Sequence, residues 1–549
     1  MAKTIDPALA DDLPSVTIAG AFYDTLVQYK YGTEDQSLIE PAMLVALPVV
    51  SEDGKTFTCT LRDDLYFQSP ENSENTPPLK VTSRDVVFSL CRLADSRLHS
   101  PGYDFFRDSI IGFSDFYERS KKAAANDFSI YDQPPAGLEI VNDKQFIIRC
   151  NENNPRFLYL LAMTFCSVVS RSALEYRNTL EIMNEPCGSG PFLMADWKKD
   201  YSISMKRNHL YREEYYDGKR LPVADRITCY LGRQNVSSFL LFLQGNLDYY
   251  ALNNDQVQTL INEKNQLSPA LANRGIRLVQ VPQLETNYIG FYMNDPVIGS
   301  NLRLRKAVSY AFDKNLRVSH SGGRLQPAFG PVPPGLSGHV ASGISLDLEK
   351  ARQMLAEAGY PNGMDPETGK RLTLSFDQAG SDIVFQQIGE MMKEDMKKIG
   401  INVEVSLNTR PRFQEKLKTG NIQLFRYSWV ADYPDAENFL KLFYSHNAGG
   451  CNRACFSDPV YDRMYEEILY MQDTPERTEK YKAMVAYLAK QTPWIYESHP
   501  LSFVLCHSWL KNYSFHNFSR NQWKYLSADS KERAQTRSKF TPLKMSELR

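Results

Sequence analysis

The stretch Lys398-Ile399-Gly400-Ile401-Asn402-Val403-Glu404-Val405-Ser406 decides the architecture of this chain. Before it, Ile388, Met392, Met396 and Ile399 recur at helical spacing; after the glycine, Ile401, Val403 and Val405 alternate strictly with Asn402, Glu404 and Ser406. An apolar period that changes from near 3.6 to 2 across a glycine predicts a helix, its stop, and a half-buried strand. The same punctuation stands upstream. Leu348, Ala351, Leu355 and Ala358 mark a helix stopped by Gly359 with Pro361 beyond it, and Asn301 to Val318 reads as one helix through Leu304, Val308, Phe312 and Leu316. Helix, glycine stop and strand in repetition predict an α/β fold.

The first half carries weaker signals of the same kind. Ala19, Phe22, Leu26 and Val27 predict a helix packed on one face, and Lys55 to Leu61 a half-buried strand after the turn Glu52-Asp53-Gly54. Ser69 to Pro78 reads as a polar surface insertion. Thr82-Ser83-Arg84-Asp85 ahead of Val86-Val87-Phe88 has the composition of a helix start. Cys187-Gly188-Ser189-Gly190-Pro191-Phe192 reads as a structural turn, with a strand around Ile203 and Met205 after it. No Lys-Ser/Thr follows as in a phosphate loop, and the G-x-S-x-G spacing of a hydrolase elbow is missing. From about Ser527 the polar sequence predicts a frayed tail. No internal repeat is evident.

A chain of 549 residues needs two or three domains. Its net charge of −2 leaves no basic surplus to hold a phosphate backbone, so nucleic acid is not an expected partner. No apolar run approaches the ~20 residues that span a bilayer. The opening MAKTIDPALADD has no apolar signal core, which leaves a cytosolic protein or one whose export signal was removed and replaced by a start Met. Nine cysteines leave at least one thiol unpaired in a monomer. Cys451 and Cys455, flanking Asn-Arg-Ala, are placed for a local disulfide; with His446 they also suggest a zinc site, though one short of an evident fourth ligand.

One segment has the makings of a site. Leu424-Phe425-Arg426-Tyr427-Ser428-Trp429 has strand character, and Ala431-Asp432-Tyr433-Pro434-Asp435-Ala436 turns the chain after it. Ligands gather beyond the C-terminal ends of strands in open α/β sheets. Arg426 and Ser428 share one strand face; Phe425, Tyr427 and Trp429 share the other. An arginine inside such a strand needs a carboxylate. Either it is a structural ion pair, with Asp432 or Asp435 as partner, or Arg426 and Asp432 are the two poles for a zwitterionic ligand.

The chain resembles the large extracellular solute-binding proteins of peptide and nickel importers, family 5, over nearly its whole length. The resemblance rests on motifs in order: Thr4-Ile5-Asp6-Pro7, Phe22 to Val27, Ser51 to Phe57 with Leu61 to Asp64, Val81 to Val87, Gly188 to Phe192, Arg207 to Tyr211, Arg305 to Lys314, and Lys398 to Glu404. It implies a periplasmic binding protein-like, type II (cluster C), two-lobed venus-flytrap α/β fold with an additional inserted domain. Residues 1–28, 166–284 and 498–549 would form lobe I with the polar tail, 29–165 the inserted lobe II, and 285–497 lobe III. It also implies a monomeric binding component that captures short peptides between lobes and presents them to ABC importer permease subunits. Its place would be periplasmic or extracytoplasmic, held at the membrane only through the transporter or an N-terminal anchor outside this sequence. No catalysis, cofactor or metal is implied.

In peptide-binding members, an aspartate after a W-x-x-D strand meets the peptide's α-amino group; Trp429-Val430-Ala431-Asp432 fits that pattern and makes Asp432 the implied amino anchor. An arginine six residues earlier meets the carboxylate in an oligopeptide-binding relative, and Arg426 stands at that spacing. Ser428 and Val430 would bond the peptide main chain by strand addition, with Tyr427 and Trp429 beside them. Tyr103, in Ser100-Pro101-Gly102-Tyr103, resembles a ligand-touching tyrosine of the second lobe. A second arginine of that relative is Leu417 here, between Lys416 and Lys418, so ligand length stays open. Three other readings also stay open: another solute (nickel complex, sugar, nucleoside or haem), a cytosolic solute sensor, and an enzyme with a dispersed triad. The eight histidines, scattered without ligand spacing, speak against bare metal.

Overall fold

The structure is a computed structural model that describes residues 3–68, 78–182, 185–231, 237–262 and 266–541. The expected insertion Ser69 to Pro78 lies almost wholly outside the described residues. The chain divides into two compact units. Of the described residues, unit 1 holds those up to Tyr250, Arg274–Arg277 and those from Cys506 on; unit 2 holds Ala251–Asn273 and Leu278–Leu505. Inserted and first lobes, separate in the sequence reading, thus group together, and the long crossings fall at 277/278 and 505/506 where the reading put them near 285 and 497.

Unit 2 is built on a mixed sheet whose strands we number in chain order: β1 Glu285–Phe291, β2 Thr373–Gln378, β3 Asn402–Leu407, β4 Leu424–Val430 and β5 Trp494–His507. They lie side by side as β5, β1, β4, β2, β3. β1 is antiparallel to both β5 and β4, while β2 is parallel to both β4 and β3. Four helices serve this sheet: α1 Leu302–Ala311, α2 Leu348–Glu357, α3 Ile383–Lys397 and α4 Arg410–Thr419. The apolar faces of α1, α2 and α3 meet it in one core that includes Phe291, Leu304, Val308, Leu355, Met392, Met396 and Leu424.

The deciding stretch folds as its periodicity predicts. α3 ends ahead of Gly400, whose φ of +84° is a conformation side chains resist, and β3 begins at Asn402 with Val403 buried between exposed neighbours. α2 likewise stops before Gly359, at φ +97°. The expected single helix from Asn301 to Val318 is two. Phe312 leaves helical geometry, and the Asp313 side chain accepts from the Leu316 amide (2.9 Å) to cap a new helix Lys314–His320.

Unit 1 contains a four-stranded sheet, ordered Val49–Val50, Thr56–Thr60, Gln145–Arg149, Leu138–Ile140, and a three-stranded one centred on Ser202–Arg207. Thr56–Thr60 alternates buried and half-buried residues, and Thr82 with Asp85 forms the capping box of helix Ser83–Leu93. The glycine turn is structural. A Cβ at Gly188 or Gly190 would sit 2.3 Å from the Phe22 backbone, and the Gly190 amide donates to the Phe22 carbonyl (2.9 Å). Two expectations need correction here. The first helix ends at Phe22, with Leu26 outside it and Val27 opening a strand. The tail is ordered to its described end: Ser527–Ala528 pairs with Leu510–Lys511, and Asp529 caps a helix Ser530–Arg537 that is tied back by the Lys511–Glu532 ion pair (2.7 Å).

Three buried histidines, His499, His507 and His516, are held neutral by burial, which pushes each from 6.5 down to about 4. The unfolded chain takes up these protons near 6.5 and the folded chain only near 4, so the unfolded state binds more protons in between. Stability is therefore expected to be full above pH 6.5 and to fall as pH drops toward 4, by up to about 3 kcal/mol per histidine. Urea midpoints measured from pH 7 to 4 check this, against the same series for His507→Gln, whose fall should be shallower.

Candidate functional site

β4 starts beside the end of β2, and their pairing covers only Phe376 with Leu424 and Asp377 with Phe425. β4 then continues beyond the end of β2, while its other edge stays paired with β1 from Phe291 back to Glu285. The amides flanking that pairing fix which groups face where. The Ala431 amide donates to Leu284 O (2.8 Å) and the Gln423 carbonyl accepts from the Tyr292 amide (2.8 Å), so odd-numbered residues of β4 turn their backbone groups toward β1. By alternation along the strand, Ser428 and Val430 turn theirs toward the side that β2 has vacated. Val430 is 59% exposed, and Tyr427, Ser428 and Trp429 are half-buried. This is an open edge at the C-terminal end of the parallel strand β2, from which the chain crosses through α3 to β3 on one side and then through α4 back to β4 on the other.

The edge runs into Asp432, which is held in place by Asn438. Asn438 Nδ2 donates to Asp432 Oδ2 (3.0 Å), while its Oδ1 accepts from both the Asp432 amide (3.2 Å) and Trp429 Nε1 (2.8 Å). Lys441 Nζ reaches the same Oδ2 at 3.3 Å and lies over the Trp429 and Tyr433 rings. Burial works against that ammonium, but Tyr433, Asp432 and Glu437 more than offset it and hold Lys441 above its ordinary value. Both side-chain contacts fall on Oδ2, and the Asp432 side chain remains 32% exposed. The following turn is locked: Asp435 accepts from the Glu437 amide and Tyr481 hydroxyl and pairs with Arg477 (3.0 Å), and Glu437 takes the Tyr433 and Tyr465 hydroxyls. Sequence reading missed Asn438; its signal was only an asparagine one turn into the segment after the W-x-x-D pattern.

Arg426 forms the structural ion pair that one expectation gave it, but with another partner. Its partner is neither Asp432 nor Asp435 but Glu497 on β5, in a bidentate pair with Nε to Oε2 at 2.8 Å and Nη2 to Oε1 at 3.1 Å. Arg317 reaches the same carboxylate at 3.5 Å, and Glu497 is 1% exposed. Burial would raise Glu497, but the two guanidiniums outweigh it and hold its carboxyl below the ordinary value. Glu285 lies on the same side. Burial raises it, with the Ser428 hydroxyl and Arg426 pulling it partway back. The guanidinium expected to meet a ligand carboxylate is thus already committed within unit 2.

The remaining residues are placed as follows. Tyr427 accepts from Gln414 Nε2 (3.4 Å) and stacks on Phe413. Leu417 is buried in α4, and neighbouring Lys416 is bound to Asp377. Tyr103 belongs to unit 1, at the start of the helix Tyr103–Phe106, with its ring stacked on Tyr117 (centroids 4.3 Å apart). Cys451 and Cys455 carry free thiols, so the local disulfide is not formed; Cys455 sits at φ +53° after the turn at Asn452. Among the described residues, no group of three or more His, Cys, Asp or Glu side chains is placed to hold a metal ion, and no helix is long and apolar enough to cross a membrane.

Comparison with known proteins bears on the family and the fold. The chain is 26% identical to heme-binding protein A of Haemophilus influenzae, over 93% of this chain and 87% of that one. It is 25% identical to di/tripeptide-binding protein 2 of Pseudomonas aeruginosa, over 88% and 85% of the two. Among solved structures, HbpA2 from Haemophilus parasuis superposes with a TM-score of 0.76 at 23% identity, covering 96% of this chain and 98% of that one. The fold is therefore that of the periplasmic binding proteins. Residues 33–451 match the bacterial extracellular solute-binding proteins, family 5 middle region, and the chain belongs to that family.

Proposed function

We propose that this chain is the peptide-capturing component of an ABC importer, working outside the cytoplasmic membrane as a monomer that hands its ligand to permease subunits. The observation that carries the reading is the vacant edge of β4, which presents the backbone of Ser428 and Val430 and ends on the half-exposed carboxylate of Asp432. An extended peptide adds to such an edge by main-chain hydrogen bonds, and its α-ammonium is complementary to Asp432. Recognition of groups that every peptide shares leaves side chains free to vary. Trp429 and Asn438 orient the anchor rather than touch the ligand. Arg426 is assigned to Glu497 and not to the ligand. The names of the di/tripeptide-binding relative and of a dipeptide-binding protein from Escherichia coli support the peptide class.

Haem is the second reading, favoured by the name of the Haemophilus relative. Differential scanning fluorimetry against pools of peptides two to five residues long separates the two. A ligand at a hundredfold excess over Kd stabilises the folded state by ~2.7 kcal/mol, so a binding pool is expected to raise the melting temperature by several degrees. A shift with haem or a sugar and none with any peptide pool would defeat the proposal.

A further inference from the structure

A second concavity lies wholly within unit 1, away from the β4 edge in sequence and in construction. Thr25, Gln28, Tyr29, Ser167, Ser519 and Arg520 are among the residues lining its roughly 340 Å³, open mouth included. Most of its polar groups are already spent inside the protein. The Thr25 hydroxyl donates to Val27 O (2.7 Å), the Ser519 hydroxyl to Asn521 Oδ1 (3.1 Å), and the Gln28 amide to Glu40 and Glu214 (both 2.8 Å). Asn521 Nδ2 in turn donates to Gln28 Oε1 (3.1 Å).

Arg520 is different. Among the described residues its guanidinium donates no hydrogen bond and joins no ion pair. Burial pushes it down to about 10, with the Tyr29 phenol as the group that resists the shift. The Tyr29 hydroxyl, on a residue only 3% exposed, has no hydrogen-bond partner either. His516 packs on Tyr29 with ring centroids 5.3 Å apart and feels the Arg520 charge. Its Nδ1 accepts from the Phe518 and Ser519 amides (3.1 and 3.0 Å), which places the ring proton on Nε2, and Nε2 is buried without a partner. Three neighbouring donors, one of them a cation, thus have no acceptor. Arg520 is itself only half-buried, but the two buried donors beside it are costly unless an acceptor completes them, and a cation alongside favours an anionic one.

We infer that this concavity is a carboxylate-binding site, in which the Arg520 guanidinium forks onto both carboxylate oxygens and the Tyr29 hydroxyl donates to one of them. A planar carboxylate matches one guanidinium fork. A phosphate dianion would want a second cation, and among the described residues none lines the concavity: Lys524 nearby is bound to Glu214. The site stands independently of the peptide reading, since the carboxylate can belong to a peptide or to a free organic acid.

The test uses the full chain labelled in its arginine guanidinium groups, with the Arg520 resonance assigned by its loss in Arg520→Lys. Acetate is expected to move that resonance saturably while acetamide leaves it in place, and Tyr29→Phe to weaken the acetate response about tenfold. Trialanine acting at lower concentration than acetate, with trialanine amide inert, would identify a peptide carboxylate as the source. Acetate acting without trialanine would identify a free acid, whatever the peptide pools do in the melting assay. Unchanged arginine dispersion elsewhere in Arg520→Lys shows that the variant is folded. If the resonance stays put with trialanine and with acetate at about 100 mM, enough to fill a site with a Kd near 1 mM, the inference falls.

Discussion

Asp432→Asn is expected to weaken binding of peptides with a free amino terminus by roughly 10–100-fold, the size of a lost hydrogen bond between charged partners. The substitution keeps the shape of the side chain and an oxygen to accept from Asn438, so the end of β4 should hold its course. What it removes is the charge facing the ligand. Lys441, which shares Oδ2, loses its carboxylate as well, and a general loosening of the turn would harm every ligand alike. N-acetylated peptides control for that: they carry no ammonium and should lose little. Titration calorimetry with matched free and acetylated peptides reads the difference. Equal losses for both would take Asp432 out of the anchoring role.

Glu497→Gln is expected to destabilise the protein by about 3–5 kcal/mol, because removing one member of a buried ionic cluster leaves the others uncompensated. Here two guanidiniums, those of Arg426 and Arg317, converge on that one carboxylate, and both are largely removed from water. Glu285 is the remaining acid on that side and stands to inherit part of their charge, which sets the lower end of the range. Urea unfolding followed by tryptophan fluorescence measures the loss, with Trp494 at the start of β5 close to the perturbation. The result also decides the role of Arg426. Were it a ligand anchor, Glu497→Gln would release it for the ligand and raise affinity with little loss of stability.

The two substitutions mark where sequence reading reached and where it stopped. α3, Gly400 and β3 were legible because a period change and a glycine are local events that neighbours in the chain impose on each other. The W-x-x-D strand end was legible for the same reason, helped by a family motif. The Arg426–Glu497 pair was not, since its members are 71 residues apart and meet only because β1 lies between β4 and β5. The nearby aspartates were the natural guess, yet Asp435 is taken by Arg477 and Asp432 by Lys441. The break at Phe312 was hidden inside an unbroken helical period, where a single capping aspartate overrode it. The ordered tail was hidden by composition: Ser530–Arg537 has almost no apolar face, and its capping Asp529 and the Lys511–Glu532 bridge were needed to show it.

Amide exchange along β4 tests the central claim most directly, read residue by residue with and without a saturating peptide from the pools that raise the melting temperature. Peptide added as a strand is expected to slow exchange at Ser428 and Val430, whose amides face the vacated edge. Tyr427 and Trp429, already bonded to β1, should change little. A peptide that saturates the protein while Ser428 and Val430 exchange as before would contradict the account.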